Sequence, residues 1–304
     1  MHTASHNRWK TFNIIRFKRD IAGWGFIVLP VILVGIFVFY PMLRSFQLSL
    51  HSGLGRNLNF VGFANYMRLF NDRTFIQALQ NNLTYLIIQV PIMIVLALIY
   101  AVLLNKKDLK FKSFFRTCIF LPAITSLMAY ATVFRYLFDT HGIINVMLIN
   151  WGLINEPIGW LLTPVLARIS IIIAITWRWT GYNMIFYLSA LQNIDDGIYE
   201  SARIDGANAL QIFFKITVPL LKPIILFTSI MSTIGTLQLF DETFQITNGG
   251  PGHATLTLSQ YIFNLMFVFS PDFGYAATVS YTILVMVLTL SIFQFWATKD
   301  KRNR

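Results

Sequence analysis

The residues that could do chemistry in this 304-residue chain are few and scattered. Its histidines lie near the N-terminus or between apolar runs, so none is predicted to be a buried proton relay or haem ligand: His2, His6, His51, His141 and His253. The sequence contains no Gly-x-x-x-x-Gly-Lys-Ser/Thr phosphate loop, no His-Glu-x-x-His and no Gly-x-Ser-x-Gly. Cys118 is the single cysteine, which excludes an internal disulfide and a thiolate metal cluster. We therefore predict no catalytic site, no metal site and no cofactor bound by this chain.

Charged residues are almost absent from the apolar runs. No Asp or Glu lies within any predicted span, whereas ion-coupled carriers usually need such acids or broken helices. Arg178, between Trp177 and Trp179, is the one charge well inside a span. Two interpretations fit Arg178 equally well. It is either an arginine that snorkels between interfacial tryptophans or a polar contact on a solute pathway. A self-sufficient secondary carrier, a channel and a membrane enzyme are disfavoured.

The richest polar segment is residues 191–219, LQNIDDGIYESARIDGANALQIFFKITVP. Asp195 or Asp196 can cap a first short helix, and Gly206 permits a sharp turn. Pro219 is expected to end a second short helix before the next span. Such a helix-turn-helix with one apolar side is suited to a groove on another protein, although it equally fits a helix lying on lipid.

Long apolar runs must position these residues. The chain is 56% hydrophobic and 12% charged, about half the ~25% charge of a soluble protein. An integral, helical, all-α membrane protein follows. We predict six transmembrane helices with cores Trp24–Leu43, Asn82–Leu104, Cys118–Phe138, Ile169–Leu191, Pro223–Phe240 and Tyr275–Ala297. Asn145–Leu153 and Leu258–Phe269 are too short or too polar to span.

Basic residues set the orientation. Of the 24 Lys and Arg, 17 fall in four segments: 1–23, 106–116, 203–222 and 299–304. Lys and Arg accumulate on the cytoplasmic side, so both termini are predicted to be cytoplasmic. The expected domains are a tail at 1–23, a transmembrane domain at 24–298 and a tail at 299–304. The net charge of +11 is then a topology signal rather than a sign of nucleic-acid binding.

One motif within the polar segment is complete in its spacing. Glu200-Ser201-Ala202 is followed by three residues, Gly206, nine residues and Ile216-Thr217-Val218-Pro219. This resembles the Glu-Ala-Ala loop of permease subunits in binding-protein-dependent ABC importers, with Ser201 in place of Ala and Val218 in place of Leu. The resemblance implies a type I ABC importer permease fold in which residues 192–219 form a cytoplasmic coupling loop.

Further segments resemble the carbohydrate-importer branch of that family: Tyr187–Ile194, Ile204–Ala207, Thr247–Pro251 and Phe60–Tyr66. The resemblance implies translocation of a sugar, a di- or oligosaccharide. The alternative is glycerol-phosphate or another polar solute. Which sugar is carried does not follow from these residues.

The family resemblance also implies partners. These are a second, different permease subunit, two ATP-binding subunits that use ATP and Mg, an extracytoplasmic solute-binding protein and membrane lipid. The residues carried over for contact with the ATPase are Tyr199, Glu200, Ala202, Asp205, Gly206 and Leu210.

A sugar pathway needs hydrogen-bonding groups and aromatic faces rather than charge. Candidates on the last three predicted spans are Trp177, Asn183, Tyr187, Gln238, Thr243 and Tyr281. For each of them, an interhelical hydrogen bond or a position as a lipid-interface aromatic is favoured over contact with the solute. Asp241 and Glu242 are interpreted as solvated loop charges, with a contact to the binding protein or a polar solute as the alternative.

Overall fold

The structure is a computed structural model that describes residues 24–25, 27–54, 57–106 and 108–298. The two tails predicted to be cytoplasmic, 1–23 and 299–304, lie outside the described residues. In chain order the helices and strands are α1 (Ile27–Ser49), β1 (His51–Leu54), β2 (Asn57–Phe60), α2 (Ala64–Leu69), α3 (Arg73–Asn105), α4 (Lys112–Ile124), α5 (Leu127–Leu137), α6 (Ile143–Asn150), α7 (Pro164–Leu191), α8 (Asp196–Ile204), α9 (Ala209–Leu237), α10 (Asp241–Ile246), α11 (Leu258–Val268) and α12 (Phe273–Thr298).

Four described helices are long and apolar enough to cross a membrane: α1, α3, α9 and α12. The predicted third span is instead a pair of helices, α4 and α5, bent by 97°. Thr125 and Ser126 adopt extended backbone at the break, which ends α4 shortly after Pro122. With its 28 residues, α7 is long enough to cross but more polar than the other four. These elements are compatible with the predicted six spans.

The two apolar pieces judged too short to span form the short helices α6 and α11. The hairpin was not predicted: β1 and β2 are antiparallel, and His51 pairs with Phe60 and Leu54 with Asn57. The hairpin lies against the start of α12, where Gly274 approaches the His51 carbonyl so closely that a Cβ would lie 2.0 Å from its oxygen.

The core is built on α3 and α7, which pack along their lengths. Ala97 and Ala101 of α3 are fully buried with Met184 and Tyr187 of α7, and the small alanines allow the two backbones to come close. Gly181 of α7 has the same role toward α4, because a Cβ there would lie 1.9 Å from the Ile119 carbonyl oxygen. By contrast, the membrane-length apolar stretch of α1 has no buried residues.

Candidate functional site

The segment at 192–219 folds as two helices joined at Gly206, as predicted. The Asp195 side chain caps α8 by accepting a hydrogen bond from the Gly197 amide at 3.0 Å. Gly206 follows α8 with φ +80°, a conformation that glycine adopts without strain. Asn208 begins α9 with a capping box, in which its side chain and that of Gln211 each bond the other residue's backbone amide at 2.9 Å.

The expectation that Pro219 ends the second helix was wrong. Ala209–Leu237 is one continuous helix, so the coupling loop runs directly into a membrane-length span. A π-helical turn at Phe213–Thr217 precedes Pro219, which lies in the first turn of the regular helix that follows. The π-helical turn departs from regular α-helical hydrogen bonding just before Pro219, so the missing proline amide is accommodated without ending the helix.

The residues carried over for ATPase contact all lie on this one loop. Glu200, Asp205 and Gly206 are exposed, Leu210 is 70% exposed, and neighbouring Ile204 is 86% exposed. Ala202 and Tyr199 are half-buried, and the Tyr199 hydroxyl has no hydrogen-bond partner among the described residues. Tyr199 and Glu200 line a groove of about 770 Å³ between α8 and the α3–α4 loop. Large apolar side chains that are exposed on a polar loop are typical of a protein-binding surface.

A second site lies within the membrane-spanning helices. It is a cavity of about 380 Å³ between α7, α9 and α10, with α3 forming one wall. Its lining is mostly apolar and aromatic with a few convergent polar groups: Gln89, Met93, Ile175, Trp179, Tyr182, Asn183, Phe186, Phe227, Thr228, Met231, Ser232, Gly235, Thr236, Gln238, Leu239, Phe240, Asp241 and Glu242. This combination is characteristic of small-molecule sites.

Two of the six residues predicted for the pathway, Asn183 and Gln238, line this cavity. The structure places the other four elsewhere. Trp177 stacks on Tyr130 and Tyr187 bonds Thr228 at 2.6 Å in the core. Thr243 is buried and donates to the Phe240 carbonyl, and the Tyr281 hydroxyl donates to the Met42 carbonyl at 2.6 Å.

Sequence reasoning missed most of the cavity, although a signal was present. On α7 the lining residues recur at helical spacing: 179, 182, 183 and 186. On α9 the same spacing holds for 228, 231, 232 and 235. Positions i, i+3, i+4 and i+7 share one helix face. Together these two faces combine aromatic rings with hydroxyl and amide groups.

Glu242 is not the solvated loop charge that was expected. Only 5% of its surface is exposed, and its Oε1 accepts a hydrogen bond from Trp179 Nε1 at 3.3 Å. Trp179 is near the middle of α7, so this carboxylate lies deep among the membrane-spanning helices. Arg178 is also buried, with its guanidinium carbon 4.8 Å from the Tyr130 ring centre. A hydrophilic pair of opposite charges therefore flanks the cavity wall.

Long-range side-chain bonds close the end of the molecule opposite the coupling loop. Asn82 of α3 is fully buried: its Nδ2 donates to the Thr236 carbonyl at 2.8 Å and its Oδ1 accepts from the Leu258 amide at 2.9 Å. It thus joins the end of α9 to the start of α11. Neighbouring Asn81 donates to the carbonyls of His253 and Leu256.

Asp72 is the second connection at this end. Its Oδ2 accepts hydrogen bonds from the hydroxyls of Tyr261 at 2.5 Å and Tyr275 at 2.6 Å, while its Oδ1 caps α3. Burial raises the pKa of Asp72, but hydrogen bonds from the two tyrosines and from the amides of Phe75 and Thr74 outweigh this and lower the pKa overall. The carboxylate is therefore held ionised where α3, α11 and α12 meet.

A polytopic helical bundle with a cavity between its spans and an exposed loop on one face defines a membrane permease. Residues 61–303 match the family described as binding-protein-dependent transport system inner membrane component. The chain belongs to this family. It is a multi-pass inner-membrane transport subunit and not an enzyme.

Similar proteins of this family carry sugar-transport names. The chain is 54% identical over 285 residues to the lactose transport system permease protein LacF of Rhizobium radiobacter, covering 93% of this chain and 96% of that protein. It is 36% identical to the arabinooligosaccharides permease AraP of Halalkalibacterium halodurans, covering 89% and 88%. Against the trehalose/maltose permease MalF of Thermococcus litoralis the identity is 32%, covering 95% and 97%.

A solved structure has the same fold. A chain of a bacterial ABC transporter that imports the acidic polysaccharide alginate superposes with a TM-score of 0.81 at 24% identity, covering 96% of this chain and 98% of that one. The predicted type I importer permease fold is thereby confirmed.

Proposed function

We propose that this permease translocates a neutral sugar, of disaccharide or oligosaccharide size, through the cavity between α7, α9 and α10. The cavity carries the proposal. Its volume of about 380 Å³ falls within the ~300–1,000 Å³ of typical small-molecule sites. Trp179, Tyr182 and Phe186 present aromatic faces for the apolar faces of sugar rings, and Asn183 and Gln238 offer amides to hydroxyl groups.

The coupling loop is proposed to receive the energy for transport. We infer that Tyr199, Glu200, Ala202, Asp205, Gly206 and Leu210 contact a separate ATPase subunit, which binds the ATP and Mg. The exposed Ile204 and Leu210 supply apolar anchors for that contact. Because the loop continues without a break into α9, a movement at the loop is passed to Ser232 and Gly235 on the cavity wall.

The complete transporter is proposed to contain a second, different permease subunit, two ATPase subunits and an extracytoplasmic binding protein. A second permease is needed because this chain supplies only half of a pathway between two related subunits. The unburied apolar length of α1 offers a surface for lipid. The basic segments orient the coupling loop and both termini toward the cytoplasm.

Gly235 gives a direct test of the pathway. A Cβ at this position meets no atom within 4 Å, so a larger side chain can enter the cavity without displacing α9. In proteoliposomes holding the complete transporter, Gly235→Phe should lower uptake of labelled lactose at least tenfold. Gly35→Phe is the matched control, since that glycine also has open space and lies on α1, away from the cavity. Wild-type uptake by Gly235→Phe would show that sugar does not pass here.

The sugar itself is tested by competition. Lactose is the first candidate because the relative at 54% identity is named for lactose transport. Unlabelled lactose, trehalose, an arabinooligosaccharide and glycerol 3-phosphate are each added in excess during uptake. Lactose should compete most strongly. Competition by glycerol 3-phosphate alone would favour the polar-solute alternative over a sugar.

A further inference from the structure

The described residues that line the cavity include two acidic side chains and no basic one. Asp241 and Glu242 both line it, whereas none of its lining residues in the described part of the chain is Lys, Arg or His. The two carboxylates differ in setting: Asp241 is exposed, and Glu242 is 5% exposed. A buried carboxylate is screened little by salt, so its charge acts strongly on a solute in the cavity.

Glu242 is held in a fixed position. Its bond from the Trp179 indole joins α10 to α7, and Trp179 itself lines the cavity. Arg178 lies near the same indole, with its guanidinium carbon 5.6 Å from the Trp179 ring centre. No Arg178 nitrogen lies within 4.0 Å of a carboxylate oxygen among the described residues. Arg178 does not line the cavity and forms no salt bridge with Glu242, so it offsets the charge of that carboxylate only in part.

We propose that Glu242 makes the cavity select neutral sugars and reject anionic ones, with Asp241 adding to the effect. This rests on the proposed function, because it assigns a selectivity to the cavity through which sugar is proposed to pass. A carboxylate accepts hydrogen bonds from sugar hydroxyls. An aldonate, uronate or phosphate would instead bring a like charge into a poorly hydrated site, which is unfavourable.

A purely structural role for Glu242 would lead to a different binding result. If the carboxylate only fastens α10 to Trp179, its removal should weaken binding of all solutes in the same proportion. A selectivity role changes the ratio between a neutral solute and an anionic one of the same shape. The ratio, rather than the binding itself, is the decisive measurement.

Lactitol and lactobionate form the required pair, since both are open-chain derivatives of lactose and differ in one CH₂OH against one carboxylate. Saturation-transfer NMR is recorded on the assembled transporter without its binding protein, so that only the permease site selects. Lactitol and lactose should give signals, with lactobionate at least tenfold weaker. Glu242→Gln should raise the lactobionate-to-lactitol ratio at least fivefold. Glu156→Gln, an exposed carboxylate outside the cavity, should leave it unchanged.

Each outcome decides the question. Equal binding of lactobionate and lactitol by the wild type, or an unchanged ratio in Glu242→Gln, overturns the selectivity but leaves the sugar pathway standing. Absence of signal from all three sugars overturns the pathway and the selectivity together. If Glu242→Gln fails to assemble, Asp241→Asn replaces it, because that side chain is exposed. It should shift the ratio in the same direction at least twofold, and no shift counts against the proposal.

Discussion

The coupling loop and the opposite end of the molecule are held together in contrasting ways. In the loop, the bonds that shape the chain join residues two or three positions apart, such as Asp195 with Gly197 and Asn208 with Gln211. At the opposite end, Asn82 and Asp72 bond residues 154 to 203 positions away. The loop residues are exposed, whereas Asn82 is fully buried.

This difference separates two kinds of function. A loop shaped by its own sequence can present a fixed surface to a partner while the rest of the protein changes conformation. An end held by long-range bonds depends on the relative positions of α3, α9, α11 and α12, so it responds when any of these helices moves. The former is suited to receiving a partner's movement and the latter to closing around a solute.

The largest expected effect comes from the turn of the coupling loop. Gly206→Val places a β-branched residue at φ +80°, which costs about 1–2 kcal/mol and distorts the turn between α8 and α9. We expect uptake to fall at least tenfold while the protein still inserts and the ATPase remains active. Uptake and ATP hydrolysis are measured together in proteoliposomes.

Gly152 supplies the control for that prediction. It also has a positive φ, +67°, and open space around its Cβ position, but it lies in the loop between α6 and α7. Gly152→Val imposes similar local strain far from the coupling loop, so uptake should remain within twofold of wild type. Normal uptake by Gly206→Val would contradict the coupling role.

The second prediction compares two asparagines. Asn82→Ala leaves the buried Leu258 amide without its acceptor, at a cost of about 1–3 kcal/mol, and releases α9 from α11. Asn208→Ala removes an exposed helix cap worth about 1 kcal/mol, and its effect should stay within the coupling loop. The midpoint temperature of thermal unfolding, measured on the detergent-solubilised transporter, should decrease clearly only for Asn82→Ala. Equal decreases would mean that the two regions are not independent.

The third prediction concerns pH. The pKa of Asp72 is lowered in the folded state, so its stabilising bonds are fully present above the unfolded pKa of about 3.9 and are lost as the pH falls through the folded pKa. At pH 7, Asp72→Asn should lower the free energy of unfolding by about 1 kcal/mol for each of the two tyrosine bonds, since hydrogen bonds to a charged acceptor become neutral ones. The difference between variant and wild type should shrink as the pH falls through the folded pKa.

A nearby ion pair provides a comparison for the stability effect of Asp72→Asn. Arg68 and Asp272 form a 2.7 Å pair in which the Arg68 side chain is half exposed. Exposed pairs contribute about 0.2–1 kcal/mol, so Arg68→Met should have a smaller effect than Asp72→Asn, and one that added salt reduces further. An Arg68→Met effect as large as that of Asp72→Asn would remove the distinction between part-buried and exposed contacts at this end.

The sequence by itself determined what depends on neighbours along the chain. The cap and turn at Asp195 and Gly206 are local properties and were predicted correctly, and the predicted apolar spans are compatible with the structure except where the third is broken. The motif from Glu200 to Pro219 also indicated the family, because all of its residues lie within one continuous segment of the sequence. The helical spacing of the cavity residues was also a local property. It did not single out the cavity, because many faces of membrane helices combine aromatic and polar residues.

Only the tertiary structure decided which faces meet. Glu242 follows a span in the sequence and was read as a solvated charge, yet α10 folds back and places it against Trp179, 63 positions earlier. The break at Thr125 and Ser126, which turned one predicted span into two helices, has a local signal in Pro122 that the prediction did not use. The burial of Glu242, by contrast, depends on how α5, α7 and α10 pack. Burial of a polar group is set by partners distant in the chain, which a local pattern of residues does not contain.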